Sequence, residues 1–249
     1  MKIDVLTLFP EMFESVFGVS IIKRALDNNL LSLRFVNIRD FSEDKHKRVD
    51  DYPYGAGGGL VMQPMPIYAA YKHLSEESED KPYVIYMSPQ GKTFTQKKAI
   101  ELKEHKHLVL LCGHYEGVDQ RVLDEIVDEE ISIGDFVLTG GEIAAMAVID
   151  ATARMIPGVL DSEDTFSHES HFDGLLEYPQ YTRPPVWNGK EIPEILVSGH
   201  HARIEKWRRE KSIEITAKKR PELLDGAELS EKEKEFAKKI LENEKNTCI

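Results

Sequence analysis

The sequence predicts an α/β fold built on a parallel sheet, followed by a small, mostly helical C-terminal domain. Three observations carry this. The chain opens with a strand, a helix and a second strand, the pattern of a parallel β-α-β unit. Apolar runs then stop at glycine just where helical patterns begin, as at Cys112-Gly113 after Leu108 to Leu111 and at Gly140-Gly141 after Ile131 to Leu138. Beyond residue 174 the composition changes and charged helical patterns dominate.

Taken in order, Lys2 to Phe9 reads as a strand ended by Pro10, a residue suited to a helix's first turn. Glu11 to Asp27 follows as one helix, with Phe13, Val16, Phe17 and Ile21 on a single face. Alternation over Leu31, Leu33 and Phe35, with Val36 and Ile38 after them, gives the second strand. Residues 39 to 59 are polar and then glycine-rich, a flexible loop with the means to cradle an anion. Pro64 to Leu74 reads as a helix, and Tyr83 to Met87 as a strand closed by Ser88-Pro89-Gln90-Gly91. Thr93 to Gln96 fits a capping box opening a helix to His105. Val118 to Val127 and Glu142 to Ile156 read as further helices, the latter lined with small residues. Arg154 sits in its last turn, where a cation suits the helix dipole.

Leu160 to Asp173 lacks periodicity and reads as a linker, so the expected domains are 1–160 and 174–249, with 161–173 between. A helix is expected over His200 to Lys211, a second near Ile215, and a last one capped by Ser230 with Glu233.

Composition narrows the classes. No apolar run reaches the length of a membrane span. The opening MKIDVLTLFPEMF lacks the apolar core of a signal peptide. The two cysteines, Cys112 and Cys248, form no C-x-x-C pair, which fits a reducing, cytoplasmic setting. A net charge of -12 argues weakly against a nucleic-acid partner, since phosphate binding wants cations. Cations nonetheless cluster at Lys45 to Arg48, at Arg203 to Lys211 and at Lys218 to Arg220. Each cluster alone is an ordinary solvated face; together they point to a local anion-binding surface.

The three glycine-ended strands put three loops beyond their carboxyl ends, where α/β proteins bind ligands. Gly91-Lys92-Thr93 resembles the end of a nucleotide phosphate loop, but Tyr86 stands where that pattern needs glycine. No Ser-His-Asp order is evident, and His168-Glu169-Ser170-His171 lacks the helical frame of a metal site, so no metal ligand is assigned. Trp207, set among charges, reads as a core anchor before a stacking platform.

The segments FPEMF, DDYPYGAGGG, YMSPQGKTF, LLCGHYEGVDQR, ISIGDFVLTGGE, DATARMIPGVL, GLLEYPQYTRP and SGHHARIEKWRREKS run through nearly the whole chain. In this order they resemble the bacterial tRNA (guanine-N1)-methyltransferase family of the SPOUT superfamily. CGHYEG and IGDFVLTGGE are the most specific of them.

That resemblance implies a SPOUT domain with a deep trefoil knot, S-adenosylmethionine bound in the knot, and a homodimer with shared active sites. It implies methyl transfer to N1 of guanine 37 in tRNAs with guanine at position 36. By motif, Tyr86, Met87, Ser88, Pro89, Gly113, Tyr115 and Glu116 would surround the cofactor. Gly117, Ile133, Gly134, Leu138, Gly140 and Gly141 complete that set. Arg154 would stabilise the developing guanine anion.

The general base departs from the family pattern. Where the family has aspartate before serine, five residues before the glycine of GLL, this chain has Glu169 before Ser170. Glu169 is the expected base, with His168 and His171 as substitutes or helpers. Lys45, Arg48, His114, Arg203, Arg208 and Arg209 would contact the anticodon stem-loop. The family also responds to magnesium, which makes that ion a second candidate cofactor. The rival readings are a knotted RNA methyltransferase with another target, and an RNA-binding protein that keeps the cofactor pocket without turnover.

Overall fold

The computed structural model describes residues 1–55, 58–160 and 169–247, with side chains to residue 244. It divides into two compact units, Met1–Asp161 and Ser162–Ile249.

The first unit is a three-layer α/β structure. Its elements are β1 (Lys2–Thr7), α1 (Glu11–Phe17), α2 (Ser20–Asp27), β2 (Ser32–Asn37), a hairpin of β3 (Asp50–Asp51) and β4 (Val61–Met62), and α3 (Pro64–Glu76). They continue with β5 (Tyr83–Thr93), α4 (Gln96–Leu102), β6 (His107–Cys112), α5 (Gln120–Ile126), β7 (Glu129–Ser132) and α6 (Glu142–Ala153). The sheet runs β2-β1-β6-β5-β7 and every pair in it is parallel. Strand periodicity sorts the side chains between two faces. Leu108, Leu110 and Cys112 of β6 join Phe13, Ile22, Leu102 and Val148 on one face. Val109 and Leu111 join Ile67, Leu74, Val122 and Ile126 on the other. A sheet covered on both faces explains why its central strands read as unbroken apolar runs.

Several elements differ from the sequence reading. The first helix is two, because Gly18 caps α1, Val19 is extended and Ser20 takes a positive φ of 59°. β5 does not stop at Met87; it continues past a register shift to Thr93. Gly91 permits this, since a Cβ there would lie 2.4 Å from the Glu130 carbonyl carbon. The cap of α4 is consequently Thr95, which accepts from Lys98 N, and not Thr93. β7 ends at Ser132, whose hydroxyl bonds the Gly134 backbone in competition with the ladder. Ile133 to Leu138 is therefore loop, not strand.

In the second unit a short hairpin, β8 (Val186–Trp187) with β9 (Lys190–Glu191), precedes two long helices, α7 (His201–Lys219) and α8 (Glu231–Thr247). α7 is one continuous helix where two were expected; no glycine or proline interrupts it. Leu175, Ile213 and Ala237 form its small core. Trp207 is half-buried beside Tyr181, their ring centroids 6.4 Å apart, so it is not a core residue. At the N-terminus of α8, Glu233 accepts from both the backbone N and the hydroxyl of Ser230, at 2.8 and 2.7 Å. Of the expected linker, residues 161–168, His168 among them, lie outside the described residues, as do Ala56, Gly57 and Cys248.

Candidate active site

Three loops at the carboxyl ends of the sheet converge on a cavity of about 270 Å³ in the first unit. The first follows Met87 within β5, the second follows β6, and the third runs from Ile133 to the start of α6. Every residue assigned by motif to the cofactor lines it: Tyr86 to Pro89 from the first loop, Gly113 with Tyr115 to Gly117 from the second, and Ile133, Gly134, Leu138, Gly140 and Gly141 from the third.

The glycines are there because the loops touch one another. Gly141 N donates to Gly113 O at 3.0 Å, and a Cβ on Gly141 would lie 2.8 Å from the Cys112 Cα. A Cβ on Gly113 would meet the Tyr86 hydroxyl at 2.8 Å. His114 pairs with Gly140 in an isolated antiparallel bridge. Tyr115, at φ 62°, and Gly117, at φ 134°, turn the second loop back towards β4. There Glu116 N donates to Leu60 O and Met62 N to Gly117 O, each at 2.9 Å. The glycine-rich segment is therefore tied to the pocket: the Glu116 carboxylate covers Gly59, where a Cβ would lie 2.4 Å from its Oε1.

Beneath the third loop lies a buried polar chain. The Thr7 hydroxyl accepts from Phe9 N at 3.0 Å and donates to Glu142 Oε1 at 2.6 Å. Glu142 Oε2 lies 2.7 Å from His114 Nε2, and Glu142 itself is 1% exposed. Burial and the neighbouring Glu142 push the Cys112 thiol up, and burial raises Tyr86 as well.

Among the described residues no lysine or arginine lines the cavity; the carboxylate residues that line it are Glu116 and Glu130, with His114 beside them. A phosphate-bearing ligand would find no cation there. A cationic ligand with an apolar part fits better, because Glu116 of the second loop and Glu130 of β7 line the cavity and Met87, Ile131, Ile133 and Leu138 supply apolar walls.

The other expected site residues are placed as follows. Arg154 caps the C-terminus of α6 and is half-buried. Glu169 belongs to the second unit and is also half-buried; Phe172 N donates to its carbonyl. Lys45 and Arg203 are exposed, and Arg48 is exposed while paired with Asp44 at 2.9 Å. Arg208 lies over the Tyr178 ring, 4.9 Å from its centroid. Two of the expected RNA contacts sit differently. The His114 ring is turned inward onto Glu142, and all three Arg209 guanidinium nitrogens have protein partners. The sequence reading missed Glu130 as a wall and Thr7 as the far end of the buried chain. Glu130 had a signal, alternation about Ile131 in an edge strand; Thr7 had none, since its partner is 135 residues away.

A parallel sheet with a pocket beyond the carboxyl ends of its strands, lined by two glutamates and several glycines, is the arrangement by which α/β proteins bind small ligands. The sequence comparisons narrow that class. Residues 1–226 match the family model described as tRNA (Guanine-1)-methyltransferase TrmD, and the chain belongs to that family. A tRNA (guanine-N(1)-)-methyltransferase from Ruminiclostridium cellulolyticum is 62% identical over 225 residues, covering 90% of this chain and 97% of the relative. Similar proteins of the same name from Alkaliphilus oremlandii and Dehalococcoides mccartyi are 55% and 54% identical, covering 96% and 98% of this chain and 98% of each relative.

Proposed function

We propose that this chain transfers a methyl group from S-adenosylmethionine to N1 of guanine 37 in tRNAs with guanine at position 36. The observation that carries the reading is the pocket: in a chain of this family, the residues the motifs assign to the cofactor all line one cavity whose charge suits a sulfonium. The glycine-paired loops would take the adenine between backbone and apolar walls. Glu116 and Glu130 would face the cationic end.

N1 of guanine holds a proton at neutral pH and attacks poorly until it loses it. Glu169 takes that proton. Arg154 stabilises the negative charge that spreads to O6. The deprotonated N1 would then accept the methyl group from S-adenosylmethionine held by the residues that line the pocket. Bound in this way, the cofactor supplies only the electrophilic methyl group. The exposed cations Lys45 and Arg48 of the first unit and Arg203 of the second, together with Arg208, contact anticodon-stem phosphates. The chain acts in the cytoplasm as a homodimer with shared active sites. It carries the trefoil knot, a reading supported by β5 lying between β6 and β7, which both follow it in the chain. No helix among the described residues is long and apolar enough to cross a membrane. Magnesium belongs in the assay, although no metal-ligand cluster occurs among the described residues.

The test supplies labelled S-adenosylmethionine, magnesium and two tRNA transcripts, one with guanine at 36 and 37 and one with adenine at 37. Label on the first alone is expected. Label on both would discard position 37 and leave another RNA methyltransferase. Label on neither, with cofactor binding shown by calorimetry, would leave a non-catalytic binder.

A further inference from the structure

Arg209 was expected on the RNA surface, but its place in the fold gives it other work. Nη1 donates to Asp173 Oδ2 at 2.6 Å, Nε to Glu233 Oε1 at 2.8 Å, and Nη2 to the Glu228 carbonyl at 2.8 Å. One guanidinium on α7 therefore holds the first turn of α8, the segment that leads into it, and the loop that begins at Glu169.

That loop is built to be rigid. Asp173 uses its other oxygen to accept from Leu175 N at 3.1 Å. The Ser170 hydroxyl accepts from Glu177 N at 2.9 Å, and His171 N donates to Leu175 O at 2.7 Å. His171 and Gly174 both take positive φ, 73° and 88°, and a Cβ on Gly174 would sit 3.0 Å from the Ala227 Cα. Leu176 N donates to Thr216 Oγ1 at 2.9 Å, and Leu175 is buried against Ile213. Residues 169–177 thus form a compact turn bolted to α7 at Thr216 and Arg209. A carboxylate held at the start of such a turn inherits its aim from the bolts.

We infer that Arg209, acting through Asp173, is a positioning residue for the Glu169 carboxylate. The inference rests on Glu169 being the general base. Asp173 is the informative arm, because it is half exposed and its loss leaves the Arg209 contacts to Glu233 and Glu228 in place.

The experiment measures kcat and KM for tRNA in full-length Asp173→Asn, Arg209→Gln and the double variant, beside Glu169→Gln, with melting temperatures as the folding control. Asp173→Asn is expected to lower kcat by about ten- to a hundredfold, the scale set by a small misplacement of a reacting group, with KM for tRNA within about threefold. Arg209→Gln should do the same, and the double variant should be no worse than the poorer single one, because the two act through one contact. If Asp173→Asn keeps wild-type kcat while Glu169→Gln is inactive, the positioning role fails and the base assignment stands. If Glu169→Gln itself turns over normally, the base assignment fails and the positioning role falls with it. If Arg209→Gln instead raises KM for tRNA at unchanged kcat, and reduces the salt slope of binding by about one, Arg209 is a phosphate contact and the inference is overturned.

Discussion

His114 Nε2 and Glu142 Oε2 meet 2.7 Å apart in the space that a side chain at Gly140 would fill. An added Cβ would stand 2.2 Å from the imidazole nitrogen and 2.6 Å from the carboxylate oxygen. The glycine is required by this pair and not by its own backbone, and the pair ties the second pocket loop to the third.

Gly140→Ala should therefore act on the pocket. The new methyl displaces His114 or Glu142, leaving a buried carboxylate short of one partner. Such a loss costs about 1 to 3 kcal/mol. Calorimetry should show S-adenosylmethionine binding at least about tenfold weaker than wild type. Wild-type affinity in the alanine variant would mean that the two loops do not need this contact.

The carboxylates of the lining predict a discrimination. S-adenosylmethionine carries a sulfonium and its product a neutral thioether, while Glu116 and Glu130 both line the cavity. The double change Glu116→Gln with Glu130→Gln should weaken the substrate more than the product. At a partly solvated site each charge contributes on the order of 1 kcal/mol, so the ratio of the two affinities should shift by about five- to thirtyfold. An equal loss for both ligands would show that the carboxylates shape the pocket without sensing the charge.

At the opposite end of the sheet, Asp4 is fully buried beside two cations and an imidazole. Arg34 Nε lies 2.9 Å from it, His107 Nε2 2.8 Å and Lys2 Nζ 3.2 Å. Burial alone would raise its carboxyl; the hydrogen bonds from His107 and Arg34 outweigh that and hold it at about 2, below the usual 3.8. A depressed carboxylate stabilises the fold above its unfolded value and loses that contribution as pH falls towards the folded one. The urea midpoint should thus fall between pH 3.8 and about 2, with the contribution roughly halved at pH 3. Asp4→Asn should cost about 2 to 3 kcal/mol at pH 7 and less at pH 3. A penalty unchanged between those pH values would rule out the charge network as its source.

The sheet was legible because its central strands are short apolar runs, a pattern set by local chemistry. The pocket was legible for the same reason, since its walls are the ends of those strands. What could not be read were consequences of contact at long range. Gly91 lets β5 run on beside Glu130, and nothing near it in the sequence says so. His114 looked like a cation for RNA because its partner, Glu142, lies 28 residues on. Arg209 sat in a run of cations, and only the packing of α7 against α8 brings Glu233 and Asp173 to it.

Glu169, the proposed general base, opens the turn that runs to Glu177. Its carboxylate stands one methylene further out than an aspartate's would, and the turn behind it is fixed by Ser170 and Asp173. A positioned general base contributes about a hundredfold or more, so Glu169→Gln should cut turnover by at least that factor and leave cofactor affinity nearly unchanged. Glu169→Asp is the sharper probe. Shortening the side chain on an unmoved turn pulls the carboxylate back by one methylene, and turnover should fall by about tenfold or more at constant KM for tRNA. Full activity in Glu169→Asp, with Glu169→Gln inactive, would show that the turn moves to meet the base. Full activity in both would transfer the proton to another group, and His171 in the same turn is the first to substitute.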